Sequence, residues 1–219
     1  MATTKRQLAE QILRILNSGD VTHDNAVDGR ELLLAIEQER DRLIRERLMQ
    51  SMAQGEGTIP GDIISAFDSI TIKKDHVKKL LYSQLPGRPL SLFDDKGIVH
   101  VSYTADQSNA FIRIANGNLS LYNGLLSSDI GGRGGYWLEG DRIYYNPHVD
   151  DCCGNTVIIK MVMNAGDVDP SQPFPIPADM ESAVIRNVLQ LNGSTKSVPN
   201  DETNDNLEQA QYAKRCKIR

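Results

Sequence analysis

The sequence predicts an α+β fold in which N- and C-terminal helices form a small bundle around an inserted antiparallel β-sandwich or partly open barrel. Three observations lead there. Two stretches before residue 57 carry apolar residues at helical spacing, a series of short alternating strands with Gly/Asn/Asp turns fills residues 58–168, and a third helical stripe follows a run of prolines. The corresponding division is a helical region at 1–57, a β region at 58–168, a proline-rich linker and helix at 169–193, and an extended tail at 194–219.

The first helix is expected over 5–17, with Leu8, Ile12, Ile15 and Leu16 on one side and Ser18-Gly19-Asp20 as its stop. The second is expected over 28–53, about 39 Å long, with Asp28 and Glu31 resembling a capping box. Its apolar stripe is Leu33, Ile36, Leu43, Ile44 and Leu48, interrupted by Arg40. Along EQERDRLIRER the charges alternate in sign, so that Asp41 can meet Arg45, and Arg42 can meet Glu46, one turn on. A long helix with so thin a stripe packs beside one partner or reaches a neighbouring subunit.

Beyond Gly55 and Gly57 the chain alternates with period two. Strands are expected at 70–72, 80–82 and 98–103, with Pro86 and Pro89 excluding a central strand between the last two. The pair 111–114 and 119–122 flanks Asn116-Gly117, a strong hairpin signal. A second hairpin, YWLEGDRIYY, holds the only tryptophan and three of the seven tyrosines, and TVIIKMV at 156–162 is apolar enough to be central. With four prolines in 169–177, the chain there reads as a stiff extended linker. It leads to a helix at 178–191 with Met180, Val184, Ile185, Val188 and Leu191 in a stripe and Asn192-Gly193 as its end. The tail is polar, then basic, and is expected to order only against a partner.

Composition sets limits on function. A net charge of −5 gives no global attraction to nucleic acid or anionic membrane. The polar start and the absence of a run of about 18 apolar residues argue against a signal peptide or a membrane span. Three cysteines, two of them adjacent, fit reduced thiols in a cytoplasmic setting.

No constellation points to catalysis, so the chain reads as a non-enzyme. The glycine run 131–135 is followed by a strand where a phosphate loop needs a helix N-terminus, and it lacks the Lys-Ser/Thr of a P-loop. His148, Asp150, Asp151, Cys152 and Cys153 are metal-ligand types, but adjacent cysteines on extended chain point apart and no second cluster joins them, so a polar turn accounts for them. The four histidines are scattered, with His100 read as a solvent-side strand residue opposite Val99 and Val101, and Asp94-Asp95 sits in a turn. The aromatic hairpin could stack nucleic-acid bases, but Arg133 and Arg142 are cancelled by Glu139 and Asp141, which favours core packing or a subunit interface. Neither a cofactor nor a metal is implied.

The order FIRIANGNLSLYNG, YWLEGDRIYYN, TVIIKMVMN, FPIPADMESAVIRNVLQLNG and VPNDETNDN, spread over about residues 25–206, resembles virion neck or head–tail connector ring proteins of crAss-like and related short-tailed phages. The helix–β–helix layout is similar to the tail adaptors of such phages. The resemblance implies a cyclic homo-oligomer, often twelvefold, stacked below the portal in the virion neck and assembled in the host cytoplasm. Its partners would be the portal and adjacent neck or tail proteins, with genomic DNA passing through without specific binding and no membrane involved. Candidate subunit contacts are Arg40, Arg42, Arg45 and Arg47 on the second helix, Arg133, Tyr136 and Trp137 at the glycine loop and hairpin, and Asn204, Asn206 and Arg215 in the tail. A β-sandwich module for tail-fibre attachment or virion assembly is the alternative, and an enzyme acting during infection a third.

Overall fold

The computed structural model describes residues 3–17, 28–55, 58–92, 96–115, 134–145 and 155–196. They form three helices and two open sheets, with no closed barrel among the described residues. The helices are α1 (Lys5–Leu16), α2 (Gly29–Ala53) and α3 (Ala178–Lys196). The strands are β1 (Ser65–Thr71), β2 (Lys73–Lys74), β3 (Leu81–Gln84), β4 (Ile98–Tyr103), β5 (Ile112–Arg113), β6 (Gly135–Glu139), β7 (Arg142–Tyr145) and β8 (Thr156–Met161).

α1 begins at a reciprocal cap. The Thr4 hydroxyl accepts from the Gln7 amide at 3.2 Å, and the Gln7 side chain accepts from the Thr4 amide at 3.0 Å. Leu8, Ala9 and Ile12 are buried, whereas Ile15, expected on the same stripe, is 55% exposed. In α2 the Asp28 carboxylate accepts from the Arg30 amide, so Asp28 is the cap without needing Glu31. The buried line is Leu32, Ile36, Arg40, Ile44 and Leu48, with the expected Leu33 and Leu43 only half-buried. Steps of four residues advance about 40° around a helix, so this line winds through about 160° and meets different neighbours along α2. Arg40 lies on it rather than interrupting it.

α1 and α3 both pack against α2 and against each other. α3 runs antiparallel to α2: Arg47 pairs with Asp179 at 3.0 Å, and Asn187 donates to Glu39 at 2.5 Å. Met180, Val184 and Val188 are buried in α3, but Leu191 is 54% exposed. The helix also runs through Asn192-Gly193 to Lys196, because one helical glycine costs only about 1 kcal/mol and the Asn192 amide donates back to the Val188 carbonyl.

In the three-stranded sheet β8 is central, with β1 and β4 antiparallel on either side. A bulge in β4 inserts Val99 between the pairs Ile98–Met161 and His100–Lys160. Val99 is pushed outward while Val101 is buried, and His100, half-buried, places its ring 3.0 Å from the Ser102 hydroxyl. The expected alternation of Val99 and Val101 on one face therefore fails at the bulge. The five-stranded sheet has the order β2-β3-β7-β6-β5. It is not wholly antiparallel as expected, since β5 runs parallel to β6. The partner expected for 111–114 across Asn116-Gly117 lies outside the described residues, as do the 146–154 cluster and the tail beyond 196.

The β6–β7 hairpin forms as predicted, turning at Gly140 (φ +64°) with Tyr136 opposite Tyr145, Trp137 opposite Tyr144 and Leu138 opposite Ile143. Period-two alternation sends its two faces to different places. Tyr136, Ile143 and Tyr145, with Leu138 beside them, enter the main core, which extends without a break from Leu8 to Val188. Trp137 and Tyr144 join Ile114, Leu80 and Tyr82 in a separate cluster. The proline-rich stretch contributes to the main core as well: Phe174 and Ile176 are buried, and the Phe174 amide donates to the Thr3 carbonyl at 2.9 Å.

Tyr145 is fully buried, edge-on to Phe111, and its hydroxyl has no hydrogen-bond partner among the described residues. Burial raises its phenol pKa well above the usual range, opposed by the nearby Ser83 hydroxyl, which itself donates to the Thr71 carbonyl. Tyr145→Phe keeps the ring and removes the unsatisfied group, so we expect a gain of about 1 kcal/mol in urea unfolding. A loss of that size would mean the hydroxyl has a partner.

Candidate functional site

The charges of α2 divide into an inner and an outer set. Arg40 is completely buried. Its Nη1 donates to Asp41 Oδ1 at 2.8 Å and to the Met163 carbonyl at 2.7 Å, while Nε and Nη2 both donate to the Pro175 carbonyl, at 3.1 and 2.7 Å. Its carbon lies 5.6 Å from the centre of the Phe174 ring. Burial pulls the guanidinium's pKa down, and the hydrogen bond and charge of Asp41 oppose that. Asp41 also accepts from the Ala165 amide at 3.3 Å, so the expected Asp41–Arg45 pair is replaced by an inward one. Lys5, equally enclosed, bonds Glu37 at 2.5 Å and the Ala165 carbonyl at 3.0 Å. These fixed donors clamp α1 and α2 onto the turn Ala165–Asp167 and the proline-rich strap.

The outer set begins with Arg42, which bonds both Glu39 and Glu46, as the i, i+4 spacing predicts for the latter. The hydrogen bond from Arg42 holds the Glu39 carboxyl below its ordinary pKa, with Asn187 adding to the effect. Arg45 donates to the Ser91 carbonyl at 3.4 Å, and Arg47 reaches Asp179 on α3. Arg45 and Lys96 rim an apolar crevice of about 60 Å³ floored by Leu48, Met52, Ile59 and Leu92. Of the arginines singled out from the sequence, Arg42, Arg45 and Arg47 are exposed but point to different sides of α2, toward Glu39 and Glu46, Ser91 and Asp179 respectively, while Arg40 is held inside.

The hairpin candidates are interior. Tyr136 is 4% and Trp137 7% exposed. Burial raises the Tyr136 phenol to about 12. Trp137 stacks on Tyr144 at 5.8 Å between centroids, and Tyr144 packs against Tyr82 at 5.9 Å. Gly134 and Gly135, at the end of the glycine run, belong to the sheet, the Gly134 carbonyl accepting from the Ile112 amide. Arg133, Asn204, Asn206 and Arg215 lie outside the described residues.

Two cations cover the aromatic row: Lys78 Nζ sits 4.5 Å from the Tyr144 ring centre, and the Arg142 guanidinium 4.8 Å from that of Tyr82. Lys78 comes from the loop between β2 and β3. Reading the hairpin by itself missed that loop, although the run KKDHVKK at 73–79 was its signal. Among the described residues no group of three or more His, Cys, Asp or Glu side chains is placed to hold a metal ion, and no helix is long and apolar enough to cross a membrane.

No protein-family model matches this sequence, and no curated protein matches it.

Proposed function

We propose that this chain is a structural, non-catalytic subunit of a homo-oligomeric ring at the portal and neck of a tailed-phage virion. The observation that carries the proposal is the helix–β–helix layout, in which helices from opposite ends of the sequence pack together beside an inserted pair of sheets. It accords with the layout implied by the resemblance of residues 25–206 to connector ring proteins. In this proposal α1, α2 and α3 form the bundle, the two sheets form a sandwich that builds the ring wall, and twelve copies close by head-to-tail contacts. The portal and adjacent neck or tail proteins stack against the ring, and genomic DNA passes through its centre. α2 contributes to the subunit contact through the exposed Arg42, Arg45 and Arg47, and the tail beyond Lys196 laces onto an adjacent ring.

Native mass spectrometry and negative-stain imaging of the full chain, alone and with its portal, test this. A closed ring, or stacking that depends on the portal, is expected; a monomer under both conditions overturns it. Replacing Arg42, Arg45 and Arg47 by Glu is expected to weaken subunit association at least tenfold while a melt registers the lost contacts to Glu39, Ser91 and Asp179 separately. An unchanged oligomer removes α2 from the interface. If a chain ending at Lys196 docks as the full chain does, the tail does not lace.

A β module for tail-fibre attachment or virion assembly is the second proposal. It rests on the two separate sheets, neither of which closes into a barrel among the described residues.

A further inference from the structure

We propose that the basic stretch 73–79, made of β2 and most of the loop joining it to β3, is a sequence-independent contact for the phosphate backbone of nucleic acid. This goes beyond the ring proposal and does not depend on it. Of the stretch's seven residues four are lysines, Lys73, Lys74, Lys78 and Lys79, and one is a histidine, His76, and all five are exposed. The loop's one acid is turned inward. Asp75 Oδ1 accepts from the Val77 and Lys78 amides at 2.9 and 3.1 Å, and the Tyr144 hydroxyl donates to Oδ2 at 3.3 Å. Those bonds hold the Asp75 carboxyl below its usual pKa, and the Asp75 amide closes the loop on the Leu80 carbonyl at 2.8 Å.

Lys78 is committed to Glu139 at 2.6 Å and to the Tyr144 ring, which fixes the loop on the sheet. Lys73, Lys74 and Lys79 have no carboxylate partner among the described residues, so a chain of net charge −5 gathers three exposed ammonium groups at one end of a sheet. Lys79 is held there by a left-handed backbone (φ +56°).

The chemistry favours phosphates. Lysine is a hydrated point charge suited to phosphate without base readout, and it is depleted at protein–protein interfaces, where arginine is favoured. Val77, 92% exposed at the loop tip, is the only apolar side chain of the seven. Even a whole myristoyl chain binds a bilayer only marginally, so one valine does not anchor the loop in lipid. Trp137 and Tyr144 are too enclosed to stack bases, which leaves the backbone as the element contacted.

The test is fluorescence anisotropy of the full chain with a labelled duplex of about 30 base pairs, titrated from low to physiological salt, beside flotation with phosphatidylserine vesicles. The comparison protein carries Lys73→Gln, Lys74→Gln and Lys79→Gln, exposed positions whose replacement leaves the fold intact. At low salt, duplex affinity is expected to fall about tenfold or more in the variant. The dependence of log K on log salt is expected to become shallower by about 2.7, three phosphate contacts at about 0.9 each. Equal affinity and equal slope for the two proteins overturn the proposal, as does a native chain that fails to bind duplex at the lowest salt. Loop-dependent binding to the vesicles without binding to the duplex also overturns it, and assigns the loop to an anionic surface instead.

Discussion

Arg40→Met is expected to destabilise the protein by about 3–5 kcal/mol, the cost of breaking a buried ion pair by removing one partner. Methionine fills much of the same volume but supplies none of the donors, so Asp41 is left with the Ala165 amide and the carbonyls of Met163 and Pro175 lose their bonds to the guanidinium. Arg40→Lys keeps the charge yet cannot fork between carbonyls on two segments, and it should fall between the two. At a slope of about 2 kcal/mol/M, the urea midpoint of the methionine variant drops by about 2 M. The double variant Arg40→Met, Asp41→Leu should recover part of the loss, because the stranded carboxylate goes with its partner. A single variant within about 0.5 kcal/mol of the native chain would show that water enters the site and solvates Asp41.

Gly97→Ala should cost about 3 kcal/mol or more, the upper part of the range for overpacking. A Cβ built on Gly97 stands 2.3 Å from the Leu90 carbonyl oxygen and 3.2 Å from Pro89 Cβ, and the first obstacle is backbone that no rotamer change relieves. Moving either strand apart has further consequences. The Val162 amide donates to the Gly97 carbonyl and the Leu90 amide donates to the Val162 carbonyl, both at 2.8 Å, so the same residue ties the two segments together. Urea unfolding of the alanine variant measures the effect, and a loss under about 1 kcal/mol would mean that Pro89 and Leu90 yield without breaking those bonds.

Local features of the fold were readable in the sequence. The β6–β7 hairpin, the central position of β8, the start of α1 and the Asp28 cap all follow from turn chemistry, alternation or spacing within about a dozen residues. What escaped depends on distant partners. Periodicity treats a charge as a solvent-side residue, so Arg40 looked like a break in a stripe, whereas its acceptors lie 123 and 135 residues away. The same distance effect chose Leu32 over Leu33, because neighbours wind around α2. Val99 escaped because a bulge is a property of pairing with β8, and the end of α3 escaped because Asn192 turned its side chain back into the helix.

The candidate surfaces divide along the same line. Alternating charge predicted the Arg42–Glu46 pair, while the basic run at 73–79 was plain in the sequence but its place beside Tyr144 depended on the β3–β7 pairing. Charge balance counted within the hairpin omitted the lysines that a neighbouring strand brings to it.

The inward arginine also sets a schedule for synthesis. Its carbonyl acceptors and the Ala165 oxygen bound by Lys5 are made 123 to 160 residues after the side chains that need them. At about 5–20 residues per second, a ribosome takes roughly 6–30 s to supply them. Throughout that interval the apolar lines of α1 and α2 have no strap to close over them. A chain that stops before the strap is made leaves Arg40 with Asp41 and Lys5 with Glu37 but without the backbone carbonyls that complete both sites.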